Sequence, residues 1–212
     1  MWFARENRLT TSPDWQIKNL ILGAMFFTWG VARFVQSPAD LRWSIPVAGA
    51  VLLQLTVGWL FANRAVAGED GNWIDIGVAC VSLIAGAVLL TMLPCRREAW
   101  NWISLGLIAI GSFVAIVALM NLGRSFAIFP ARRSLVSNGL YRWIRHPAYA
   151  GEIMIMLGVT HAAGTVLAWL LMLLTLAGMI ARIKREERLL SVDQGHEHYR
   201  RQVPWRLVPR IW

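Results

Sequence analysis

Four long apolar segments, residues 18–35, 44–62, 73–93 and 100–122, set the limits of what this chain can fold into. Each has about the 20 residues that a helix needs to cross a hydrocarbon core of about 30 Å. A fifth stretch, 150–181, is long for one crossing and short for two. His161-Ala-Ala-Gly-Thr165 interrupts it near the middle. Two short helices in a hairpin, or one strongly tilted span, satisfy that length. The choice matters because a hairpin returns the chain to the side it came from.

Composition agrees. Hydrophobic residues make up 57% of the 212 and charged residues only 16%. Soluble domains run at roughly 45–50% and about 25%. Disordered chains, secreted disulfide scaffolds and ordinary soluble enzymes are thereby excluded. The expected fold class is an all-α integral membrane protein with about five transmembrane segments, the last a helical hairpin, followed by an amphipathic C-terminal helix. Trp15, Trp43, Trp73, Trp100, Trp102 and Trp143 stand at or near segment ends, as interfacial anchors do. Residues 1–18 mix charges with Trp and Pro, so no signal peptide is expected.

The net charge of +9 is lopsided. Residues 1–121 hold 8 basic and 7 acidic side chains, whereas 122–212 hold 13 and 5. In so apolar a chain this marks the cytoplasmic side of a membrane or contact with anionic lipid, not nucleic acid. The expected organisation is four N-terminal helices over 1–122 and a functional region over 123–212, with the hairpin at 150–181. The basic bias places the N-terminus, 123–149 and the C-terminal region on the cytoplasmic face. Cys80 and Cys95 would lie about 22 Å apart along one helix, too far for a disulfide. No Cys/His cluster has zinc spacing, so no metal is expected. His196 and His198, in a polar stretch, are expected to be solvated. The last ten residues mix Pro, Trp and Arg and suit an extended tail at the membrane surface.

Two clusters carry candidate chemistry. In Gly139-Leu-Tyr-Arg-Trp-Ile-Arg-His-Pro-Ala-Tyr-Ala-Gly151, Pro147 suits the first turn of a new helix. His146 then precedes a helix start, where free backbone N–H groups gather and anions bind. Tyr141, Arg145, His146 and Tyr149 converge there; plain interfacial anchoring is the bland alternative. In Arg182-Ile-Lys-Arg-Glu-Glu-Arg-Leu-Leu190, Arg182 and Glu186 share a helical face and can pair. Glu187 falls on the apolar stripe with Ile183 and Leu190. A carboxylate there needs a partner, such as a ligand amine or ribose hydroxyls; a solvated charge run is the bland alternative. Glu152 opens the fifth stretch near the interface, and His161 at its break suits hydrogen bonding to freed backbone. A hairpin would bring both clusters to one membrane face.

Together with Leu122-Gly-Arg-Ser-Phe126, Leu135-Val-Ser-Asn-Gly139 and Gly195-His-Glu-His-Tyr-Arg-Arg-Gln-Val-Pro204, these motifs resemble the isoprenylcysteine carboxyl methyltransferase family and its phospholipid methyltransferase relatives. The resemblance covers about residues 120–210. It implies a membrane-embedded S-adenosyl-L-methionine-dependent methyltransferase facing the cytoplasm, in a cell inner membrane or the endoplasmic reticulum. By analogy His146, Tyr149 and Glu187 hold the cofactor, and Tyr141, Arg145, Leu135 and Val136 line its pocket. Arg182 and Glu186 match the essential Arg and Glu near the acceptor. The implied partners are membrane lipids and a lipophilic acceptor entering from the bilayer, most simply a prenylated cysteine carboxylate; an amine or thiol stays open. No obligate protein partner is evident. Gly151-Glu152 is also similar to membrane sterol and steroid reductases, which use NADPH. A non-enzymatic lipid-binding scaffold is the third reading.

Overall fold

In a computed structural model the described residues are 13–63, 77, 81, 84–86, 88–89, 100–126, 135–191 and 194–212. Among them every regular element is helical: α1 (Pro13–Gln36), α2 (Ile45–Asn63), α3 (Trp102–Leu122), α4 (Pro147–Ala163), α5 (Val166–Leu190) and α6 (Gln194–Gln202). Short 3-10 turns at Gly123–Ser125 and Gly139–Arg142 join α3 to α4. Three of these helices, α2, α3 and α5, are long and apolar enough to cross a membrane. The expected 73–93 span, with Trp73 and Cys80, and also Cys95, lies largely or wholly outside the described residues.

The helices present apolar surface outward as well as inward. Leu167, Leu170, Leu173 and Leu174 on α5 are all exposed, as are Leu52 and Trp59 on α2. Such faces suit lipid tails and would be an aggregation hazard in water. Trp43, Trp102 and Trp143 are also exposed, as anchors would be. Trp100 instead packs against a buried cluster that includes Leu89, Ile108 and Met156.

Small residues bring the helices together, as expected where lipid supplies no hydrophobic drive between them. On α3 the buried positions Ser104, Ile108, Gly111, Ser112, Ala115, Ala118, Leu119 and Leu122 follow one helical face. A Cβ added to Gly151 of α4 would stand 2.6 Å from both Gly111 O and Ala115 N. The α3 and α4 backbones are therefore in direct contact, which fixes where the start of α4 can be.

The fifth apolar stretch is a hairpin. Helix α4 runs through His161, and the break falls at Gly164–Thr165, slightly later than the sequence suggests. Gly164 takes a left-handed φ of 62°, and its N–H donates to Thr160 O. Thr165 then caps α5, its hydroxyl oxygen accepting from Ala168 N. His161 bonds side chains rather than freed backbone: its Nδ1 lies 3.1 Å from the Asn101 amide nitrogen and 3.0 Å from Ser104 Oγ.

Two expectations for the C-terminal region are corrected. The amphipathic helix expected after the hairpin at 150–181 does not start at Arg182. That charged run continues α5 past its apolar part, because nothing in 166–190 breaks the helix, and the separate C-terminal helix is α6. The last ten residues are not an extended tail. They fold into a hydrogen-bonded strap, in which Arg206, Leu207 and Val208 N–H all donate to Trp212 O.

Candidate functional site

The start of α4 and the charged end of α5 meet, since the two helices run antiparallel from Gly164. Tyr141 is placed by the turn before them. Gly139 has a φ of 57°, and Asn121 at the end of α3 accepts from Leu140 N at 3.0 Å. Tyr141 is buried against Leu60, Phe61 and Phe126. Its carbonyl accepts the Tyr199 hydroxyl of α6 at 2.6 Å.

Glu187 is the electrostatic centre of the arrangement. Its Oε1 lies 3.0 Å from Arg145 Nε and 3.3 Å from His146 Nε2. Its Oε2 accepts from Arg206 Nε at 2.8 Å and stands 2.8 Å from Arg206 Nη2. Burial alone would raise this carboxyl. Hydrogen bonds from His146 and Arg206, with the charges of His146 and Arg145, outweigh that and bring it down to about 2. Burial lowers the Arg145 guanidinium from its ordinary value, and the Glu187 charge opposes the shift. The apolar-stripe carboxylate thus has its partners, but Arg145, His146 and Arg206 supply them rather than a ligand amine.

A cavity of about 380 Å³, part of it open to solvent, lies beside this network. Leu135, Val136, Tyr141, Arg145 and His146 line it, as does Glu186. Five of the seven residues expected at a cofactor pocket are therefore brought to one cavity. The other two stand just behind it. Tyr149 OH donates to Glu186 Oε2 at 3.4 Å, and Glu187 holds Arg145 and His146. Arg182 stacks its guanidinium over the Tyr149 ring at 5.1 Å, so the expected catalytic pair is linked through that tyrosine.

The anion site expected from free N–H groups is altered. Arg145 N–H donates to Trp205 O and His146 N–H to Arg206 O, both at 2.9 Å. The strap takes these two N–H groups.

Sequence reasoning missed Arg206 and, although it singled out the motif at 195–204, gave Tyr199 and His196 no place in the site. His198 is exposed as expected, but His196 is 3% exposed and faces the cavity with Tyr199. The signal was available: His196, Tyr199 and Val203 recur at helical spacing, and all three are buried. Arg206 carried no such sign, because its partner is 19 residues away.

These features define a class: an all-helical integral membrane protein with a charged cavity walled by the two ends of a helical hairpin. Residues 102–192 match the model of the isoprenylcysteine carboxyl methyltransferase (ICMT) family. A protein-S-isoprenylcysteine O-methyltransferase of Schizosaccharomyces pombe is 33% identical over 109 residues, 48% of this chain and 46% of the relative. The chain spans about half the length of the curated relative it matches.

Proposed function

We propose that the chain is an S-adenosyl-L-methionine-dependent methyltransferase that esterifies the carboxylate of a prenylated cysteine, or a close mimic, at the cytoplasmic face of its membrane. The observation that carries this reading is the cavity in which Arg145, His146 and Glu186 meet beside apolar Leu135 and Val136. The charged walls suit a ligand with an amino-acid end, and the apolar walls suit an adenosine. The name of the fission yeast relative supports the acceptor class.

Bound S-adenosylmethionine supplies a methyl group already activated on a sulfonium. The chain's residues need only bind, align and exclude water. Arg145 and His146 hold the cofactor's carboxylate end, and Tyr141, Leu135 and Val136 form the wall for the rest. Tyr149 and Glu187 hold these groups in place. Arg182 orients the acceptor carboxylate by a charge-assisted hydrogen bond. Glu186 fixes Tyr149, and thereby Arg182, at the join of cofactor and acceptor. Residues 123–212 form the catalytic region, with the acceptor arriving from the bilayer and the basic surface facing the cytoplasm. Gly151, half of the Gly151-Glu152 pair that suggested a reductase, packs closely against α3.

Calorimetric titration with S-adenosylhomocysteine, beside NADPH, tests the reading. Saturable binding of the first alone is expected. Binding of NADPH alone, or of neither to folded protein, would overturn it.

A further inference from the structure

We propose that Arg206 is a positioning residue of the cavity: through Glu187 it sets the direction in which Arg145 and His146 face the ligand. This deepens, and rests on, the methyltransferase reading. Arg206 lies beyond the residues that match the family model, and neither its spacing nor its surroundings in the sequence single it out.

The inference comes from a closed ring of bonds. The Arg206 side chain grips Glu187 Oε2 through both Nε and Nη2. Glu187 Oε1 holds His146 Nε2 and Arg145 Nε. The His146 N–H returns the connection by donating to the carbonyl of Arg206 itself, while Arg145 N–H donates to the neighbouring Trp205 carbonyl. The two cavity residues are therefore held twice, at the backbone by the strap and at the side chain by the carboxylate that the strap aims. Buried polar networks of this kind act as a unit, so loss of one member loosens the others.

Arg206 is itself fixed from both sides. Its N–H donates to Trp212 O at 2.8 Å, and its guanidinium lies 5.2 Å from the centroid of the Trp212 ring. The Glu187 side chain is only 7% exposed. With Arg206 removed, its Oε2 would face little water, and the carboxylate would turn to share both oxygens with Arg145 and His146. Those two groups would then be drawn out of the cavity wall. Lysine at this position keeps the charge but lacks the fork that engages one oxygen with two nitrogens.

The test uses the full chain in detergent. S-adenosylhomocysteine affinity and thermal unfolding are measured for the wild type, Arg206→Ala, Arg206→Lys, Glu187→Gln and the double variant R206A/E187Q. At least tenfold weaker binding is expected in R206A, and a loss of roughly threefold in R206K. The double variant should bind no more weakly than the worse single variant, because both substitutions break one ring. If R206A does not fold, R206K and E187Q carry the comparison through R206K/E187Q. A lower melting temperature with unchanged affinity in R206A or R206K would overturn the proposal. So would additive losses in the double variant. Absence of wild-type binding would instead overturn the methyltransferase reading itself.

Discussion

The Tyr199 hydroxyl donates to the backbone carbonyl of Tyr141 at 2.6 Å, across 58 residues of chain. One hydrogen bond thus ties α6 to the turn that forms a cavity wall. A phenolate cannot donate, and burial pushes this hydroxyl up to about 12, with the Arg145 charge opposing the shift and that of Glu187 adding to it.

That relationship has a pH consequence. Unfolded tyrosine loses its proton near pH 10, whereas folded Tyr199 keeps it to about 12. Between those values the folded state binds more protons than the unfolded state, so stability falls as pH rises. Tyr199→Phe should flatten thermal stability over pH 10–12 at a neutral-pH cost of about 1–2 kcal/mol. Absorbance at 295 nm checks it: the chain has three tyrosines, and the latest ionisation should vanish in the variant.

The two adjacent acids should separate in their effects. Glu187→Ala leaves Arg145, His146 and Arg206 without their shared carboxylate. Breaking one member of a buried ionic group costs about 3–5 kcal/mol, so melting temperature and S-adenosylhomocysteine affinity should fall together. Glu186 lines the cavity and accepts from Tyr149 OH, so Glu186→Ala should weaken binding at least tenfold with a smaller thermal shift. Equal thermal losses in both variants would contradict the division.

Arg182 should matter for turnover more than for the cofactor. Its guanidinium rests on the Tyr149 ring and is not part of the cavity wall formed by Arg145, His146 and Glu186. Arg182→Ala should lower kcat on the order of 100-fold with cofactor affinity changed less than about threefold, the pattern of a group that acts on the acceptor. Steady-state kinetics with a prenylated cysteine and calorimetry with S-adenosylhomocysteine supply the two numbers.

Gly151→Ala should displace the site from a distance. Its new Cβ would meet Gly111 O and Ala115 N at 2.6 Å, and both are backbone atoms. Overpacking of this kind costs about 1–3 kcal/mol. The variant should melt earlier and bind S-adenosylhomocysteine more weakly, because α4 carries His146 and Tyr149 near its start. An unchanged melting temperature would show that α3 and α4 can separate at no cost.

Much of the fold was legible because membrane spans obey a local rule: every backbone group must be satisfied within the segment. Length and hydropathy therefore placed α2 and α3 without tertiary information. Pro147, Gly164 and Thr165 marked helix ends through their own backbone chemistry. Arg182, Glu186 and Glu187 announced themselves as charges at helical spacing beside an apolar run, and the two motif clusters pointed to one face.

The partners of those charges were not legible. The sequence says that Glu187 needs a counterpart, but whether a ligand or the protein supplies it depends on which side chains arrive from elsewhere. Only the tertiary structure brings Arg145, His146 and Arg206 to it. The hairpin, left open by length alone, was decided in the same way, by contacts between residues about 40 positions apart. The last ten residues lack any periodic pattern, so their strap exists through bonds to the helix start and back onto Trp212. Segment length, hydropathy and end signals act over a few residues and can be read along the chain. Pairing of buried charges acts through space, and the fold alone determines it.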